Sequence, residues 1–108
     1  MSNLTSVNDA TFKAEVLEAE LPVFVDFFGT WCAPCQAIAP IVDRLAEQYE
    51  GKVKFVKVDI DQAPDTASNV GVQGVPTLVM FRGGQEVRRM VGAGSASAIE
   101  RLIETALS

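Results

Sequence analysis

Apolar positions in this chain fall into two rhythms. Val23-Phe24-Val25-Asp26-Phe27-Phe28 is apolar at both odd and even positions, broken only by Asp26. That pattern predicts a strand buried on both faces of a sheet. Pro22 precedes it and Gly29-Thr30 breaks it. Next, Ile38, Ile41, Val42, Leu45 and Tyr49 recur at the spacing of one buried helical stripe. Pro40 sits within it and should kink it, because its ring removes a hydrogen bond and crowds the previous turn. Gly51 stops the helix, and residues 53–59 form the next strand. Strand, helix and strand in this order predict a right-handed parallel crossover.

The flanks are weaker but readable. Residues 4–7 predict a short first strand. Asp9 has the chemistry of an N-cap ahead of Phe12, Val16 and Leu17, which sit near helical spacing. A short helix is expected over residues 62–69, started by Asp61 or a neighbour. Residues 77–81 and 86–91 read as two strands of a hairpin turned at Gly83-Gly84. Ser95 or Ser97 caps a last helix striped by Ile99, Leu102, Ile103, Ala106 and Leu107, and Ser97 with Glu100 fits a capping box. A parallel half followed by a hairpin gives one mixed five-stranded sheet. Four helices must then cover its two faces, since the central strand is apolar on both. The fold class is α/β.

Composition narrows the function. The 108 residues suit one domain, 1–108, able to bury a single core without a disulfide scaffold. The net charge is −5, His is absent, and the tightest basic cluster is Arg88-Arg89, which argues against a nucleic-acid surface. The longest apolar stretch, residues 21–28, is far short of the roughly 20 residues that span a bilayer. The first residues lack the basic start and apolar run of a signal peptide. These features give the expectation of a cytoplasmic or equivalent reducing compartment, with no membrane.

The two cysteines carry the chemistry. They are spaced Cys32-Ala33-Pro34-Cys35, between a buried strand and a helix. A secreted scaffold would close longer loops with more bridges. A zinc site would need more ligands than one chain supplies, leaving open only a metal shared by two chains. At a helix N-terminus the free N–H groups and the dipole favour an anion, so the Cys32 thiol should ionise readily. Pro34 is tolerated in the first turn. Cys35 lies one turn on, placed to attack the Cys32 sulfur after Cys32 has attacked a partner's disulfide. The alternative, an inert bridge, would close too short a loop to stabilise much. Asp26, buried among Val and Phe, should have a raised pKa and is the leading candidate to deprotonate Cys35. A structural hydrogen bond at a strand edge is its alternative role.

The pieces Val25-Asp26-Phe27, Trp31-Cys32-x-Pro34-Cys35, Pro40, Lys57-Val58-Asp59, Gly74-Val75-Pro76-Thr77, Gly83-Gly84 and Gly92 stand in family order. Over essentially its whole length the chain resembles the thioredoxin family. The resemblance implies the thioredoxin fold and a protein-disulfide reductase that carries no cofactor of its own. Its electrons would come from NADPH through a flavoprotein thioredoxin reductase. Its partners would be disulfide-containing proteins, met by a monomer. It implies that Asp26 acts through a water, that Lys57 tunes Asp26, and that Val75-Pro76 is cis beside the cysteines. It also places Trp31, Ala33, Pro34, Ile60, Gly74, Val75, Val91, Gly92 and Ala93 around the exposed sulfur, as an apolar patch for docking. For Lys57 a snorkelling surface role stays open, and for Ile60 and Val91 so does plain packing. Three residues depart from the pattern: Ala33 where Gly is usual, Phe28 where a second Trp is common, and Gln36 where Lys is common. Two rival functions remain, a disulfide donor or isomerase and a binding subunit with incidental cysteines.

Overall fold

Every residue of Val23–Phe28 is buried, and the sheet is built around it. The computed structural model describes residues 3–108. Its strands are β1 (Thr5–Ser6), β2 (Val23–Phe28), β3 (Lys54–Asp59), β4 (Thr77–Arg82) and β5 (Gln85–Val91). They lie in the order β1-β3-β2-β4-β5. β1 and β2 run parallel to β3, and β4 and β5 are antiparallel additions. Three α-helices, α1 (Ala33–Gln48), α2 (Pro64–Val70) and α3 (Ala96–Leu107), join a π-type turn at Lys13–Leu17 to cover both faces. The expected mixed sheet with four helices is therefore present.

Alternation along β2 divides the core. Phe24 points to the face of α1 and α3, where it joins Ile38, Val42, Leu45, Leu78, Met80, Ile99 and Ile103. Val23, Val25 and Phe27 point to the other face, with Phe12, Val16, Val56, Val58, Val79 and Phe81. Phe24 stacks on Phe55 across the β2–β3 pair, with ring centroids 4.7 Å apart. α1 and α3 are also joined through their polar edges. Gln48 donates to Glu100 at 3.1 Å, and the Tyr49 hydroxyl donates to Glu104. The helix at α1 continues unbroken across Pro40.

The flanks depart from expectation in instructive ways. β1 is only Thr5 and Ser6 long; the Val7 N–H still bonds the Lys57 carbonyl of β3 at 2.9 Å before the buried Val7 gives way to a turn at Asn8. Asn8, not Asp9, holds that turn, its Oδ1 accepting from the N–H groups of Ala10 and Thr11. The helix expected through Phe12 and Leu17 is one wide turn, closed by the Glu18 N–H on the Lys13 carbonyl at 2.9 Å. So short a segment takes its geometry from packing rather than propensity. Asp9 instead reaches α2 and accepts from the Thr66 N–H at 2.8 Å, the Thr66 hydroxyl at 2.6 Å and the Asp65 N–H at 3.3 Å. It caps a helix whose own first residues, after Ala63, supply no side-chain cap. These bonds hold its carboxyl below the usual carboxylate range. α2 thus begins at Pro64, not Gln62, and Asp61 does not start it. α3 is capped by Ser95, whose hydroxyl accepts from the Ala98 N–H at 3.2 Å. Ser97 lies inside that helix, so the Ser97–Glu100 capping box does not form.

The hairpin turns through Gly83 and Gly84, both at positive φ (61° and 81°), as the twist of the flanking strands requires. A Cβ on Gly84 would lie 2.8 Å from the Leu17 carbonyl oxygen, whereas one on Gly83 would meet nothing within 4 Å. Gly83→Ala should cost about 1 kcal/mol of stability, the left-handed penalty alone. Gly84→Ala should cost about 2–4 kcal/mol, since backbone crowding adds to that penalty. Urea unfolding of the two variants checks the order, and equal losses would refute the close approach of the hairpin to Leu17.

Candidate active site

β2 ends at Phe28, and the chain must reverse before α1 can lie back across the sheet. Gly29 makes that possible: a Cβ there would strike the Trp31 ring, 2.6 Å from its Cε2. The Cys32 N–H closes the turn on the Gly29 carbonyl at 3.1 Å. Cys32 then takes the N-cap position of α1 in an extended conformation, with Ala33 and Pro34 opening the helix. Its sulfur accepts from the Cys35 N–H at 3.2 Å. That N–H is one of the helix's free donors, so the helix end points its positive side at this sulfur. Cys32 and Cys35 are joined as a disulfide, their Cα atoms 5.3 Å apart.

The bond is largely covered. Cys32 is 4% exposed and Cys35 1%. They form a small cluster with Phe28, against which Val75 packs. The Cys32 sulfur, expected to be exposed, is thus recessed, with Phe28 at the end of β2 and Val75 of the 71–76 loop against it. Trp31 stands over this rim, 65% exposed, its indole N–H donating to Asp61 Oδ2 at 2.8 Å. Asp61 is a residue that sequence reasoning missed as part of the site. Thirty positions separate the pair, and nothing in spacing or composition links them. Gln36, where a Lys is common, donates through Nε2 to the Thr30 carbonyl at 3.1 Å and so braces the turn before the cysteines.

Asp26 is 3% exposed, and its Oδ1 has no hydrogen-bond partner in the protein. It sits on the α1 face of β2, in line with Phe24 and Phe28, opposite Lys57 on β3 and Leu78 on β4. Burial pushes its pKa up to about 7; Lys57 partly offsets this and Asp43 adds to it. The edge-strand alternative is removed, because β2 is paired on both sides. Lys57 is half-buried, with its Nζ 5.9 Å from the centre of the Phe28 ring. A purely solvent-facing lysine does not fit this position.

The Val75–Pro76 peptide is cis, and Pro76 is buried. The Gly92 N–H donates to the Pro76 carbonyl at 2.8 Å, which draws residues 91–93 beside the loop. Val91 is 67% exposed, and Ala33, Pro34, Gly74 and Ala93 are exposed as well, so these segments present apolar groups to solvent. Ile60 is only half-exposed and packs partly into the second core cluster, so ordinary packing accounts for much of it. Among the described residues there is no group of His, Cys, Asp and Glu that could hold a metal ion, and no helix is long and apolar enough to cross a membrane.

The family model described as Thioredoxin matches residues 3–105. Thioredoxin 1 of a Nostoc species is 48% identical over 104 residues, 96% of this chain and 97% of that protein. A thioredoxin of a Synechocystis species is 49% identical over 104 residues, with the same coverage. The M-type chloroplastic thioredoxin of Chlamydomonas reinhardtii is 43% identical over 103 residues, 95% of this chain and 74% of its own length.

The buried carboxyl makes stability pH-dependent. Asp26 ionises near its ordinary 3.8 in the unfolded chain but near 7 in the fold, so the folded state holds the extra proton between those values. Stability therefore falls as pH rises from about 4 to 7, in total by roughly 4 kcal/mol. Asp26→Asn should remove most of this slope. Urea unfolding at pH 4 and pH 8 should show the variant gaining on the wild type at the higher pH. Parallel curves would mean that Asp26 ionises normally in the fold.

Proposed function

The chain belongs to the thioredoxin family, and on that premise we propose how its residues divide the work. The protein is a dithiol–disulfide oxidoreductase that reduces disulfides in other proteins, with the Cys32–Cys35 pair as its redox centre. In the reduced form, Cys32 is the nucleophile. Its thiolate, favoured by the Cys35 N–H and the N-terminus of α1, attacks a partner's disulfide. One bond forms, between Cys32 Sγ and a partner sulfur, and the partner's own bond breaks, releasing its second sulfur as a thiolate that takes up a proton. Cys35 is the resolving thiol. It passes its proton to the Asp26 carboxylate, by way of a water, and attacks Cys32 Sγ. The partner's remaining sulfur leaves, and both electrons have moved from the dithiol to the partner.

The observation that carries this reading is the Cys35 N–H on Cys32 Sγ at 3.2 Å, at a helix start, with a carboxyl of pKa about 7 buried in the adjoining strand. A base whose pKa lies near the working pH both accepts and returns a proton readily. Lys57 moderates that pKa. Trp31, Ala33, Pro34, Ile60, Gly74, Val75, Val91, Gly92 and Ala93 form the docking surface, and the Val75 backbone beside Pro76 pairs with an extended segment of the partner. The chain works as one domain and as a monomer in the cytoplasm. It is re-reduced by a flavoprotein reductase that draws on NADPH.

Cys35→Ser should leave partners trapped on Cys32 as mixed disulfides, visible on non-reducing gels. Cys32→Ser should trap none and abolish reductase activity. If Cys35→Ser binds partners without a covalent link, the cysteines are incidental and the chain is a binding module. The reduction potential should fall below the cytosolic glutathione poise of roughly −220 to −320 mV. A value near about −120 mV would make the protein a donor of disulfides instead.

A further inference from the structure

β5 breaks its regular alternation once. Its register against β4 runs from Thr77↔Val91 to Met80↔Arg88, then resumes at Phe81↔Glu86, leaving Val87 as an extra residue. In an unbroken strand, residues three apart point to opposite faces. The extra residue reverses that parity. Glu86 and Arg89 lie opposite Phe81 and Val79, which both belong to the face covered by α2 and the π-type turn. There they form a forked pair. Arg89 Nε donates to Glu86 Oε2 and Nη2 to Oε1, each at 2.6 Å. The same guanidinium reaches the end of α2, with Nη2 donating to the Val70 carbonyl at 2.7 Å and Nη1 to the Gly71 carbonyl at 3.3 Å. These are carbonyls a helix end leaves without partners, and a cation there also suits the dipole. The hydrogen bonds between the two side chains hold the Glu86 carboxyl below its usual range and the Arg89 guanidinium above.

The chain leaving Gly71 is the loop that ends at Pro76. Its far end is tied: the Thr77 hydroxyl donates to the Gly74 carbonyl at 2.6 Å, and the Gly92 N–H to the Pro76 carbonyl at 2.8 Å. Its near end is tied by the Val72 N–H on the Ala67 carbonyl at 2.9 Å and by Arg89. Gln73 and Gly74 between them are exposed, and Val75 rests on the disulfide cluster. Taking up the docking role proposed above for Gly74 and Val75, we propose that Arg89, oriented by Glu86, is a positioning residue for protein substrates. It anchors the start of the loop so that the Val75 backbone meets a partner's strand in one place. Without the clasp, the loop samples more conformations, and docking must order it. The sulfur chemistry lies on the other side of this step and is untouched.

The test compares two oxidants of the reduced protein: insulin, whose chain must dock, and dithiobis(nitrobenzoate), a small aromatic disulfide. Arg89→Met should raise the KM for insulin roughly three- to tenfold, the effect of one lost ordering contact, with kcat retained. The rate with the small disulfide and the Cys32–Cys35 reduction potential should not move. Arg89→Lys should restore part of the KM. Glu86→Gln, which spares the carbonyl contacts, should fall between the wild type and Arg89→Met. An unchanged KM, or equal losses with both oxidants, would overturn the assignment. Val75→Glu serves as the control for the docking reading itself. If it leaves the ratio between the two oxidants unchanged, that reading fails. If it shifts the ratio and Arg89→Met does not, only the role of Arg89 fails.

Discussion

A carboxylate in the middle of the central strand is the constraint on which the rest depends. β2 is covered on both faces and paired on both edges, so Asp26 has no route to bulk water of its own. An apolar side chain of similar size would make a more stable sheet, because taking a charge out of water is costly. The fold tolerates the group because it is neutral over much of the pH range in which the protein folds. The same burial that raises its pKa sets it on the α1 face, the face from which the cysteine-bearing helix starts. The stability of the fold and the raised pKa of this carboxyl are thus two readings of one desolvation energy.

Around that strand, the molecule separates what is rigid from what is presented. The sheet and helices α1 and α3 enclose one core, and α2 and the π-type turn enclose another. The reacting bond lies at the end of β2, in a third, smaller cluster of Phe28, Cys32 and Cys35. Each segment that borders it is fastened by a polar bond to something distant in sequence. Trp31 is held by Asp61, and the loop before β4 by Gly92 and Arg89. α2, from which that loop departs, is capped by Asp9. The rim is therefore placed by hydrogen bonds, while the frame beneath it is placed by apolar packing.

This division explains what the sequence could and could not disclose. β2 was legible as a short run apolar at odd and even positions alike, bounded by Pro22 and Gly29, and α1 as an apolar stripe of period 3.6. The cysteine pair was legible because its chemistry depends on local spacing and on the start of a helix. Asp26 was legible as an anomaly within an apolar run. The rim was not. Asp9 has the residue type of a cap, and it does cap a helix, but the helix is the wrong one by sequence proximity, since a hydrogen bond across the fold leaves no periodic trace. Arg88-Arg89 read as a basic doublet, yet the bulge at Val87 sends Arg89 to a carboxylate and two carbonyls. A single extra residue changes which side chains share a face, and no pattern of apolar residues announces it.

The recessed disulfide has one more consequence. With Cys32 only 4% exposed and Cys35 1%, the oxidised bond offers almost no surface to a small thiol arriving at random. An attacking sulfur has to approach past that cover, so access enters the rate for large and small attackers alike.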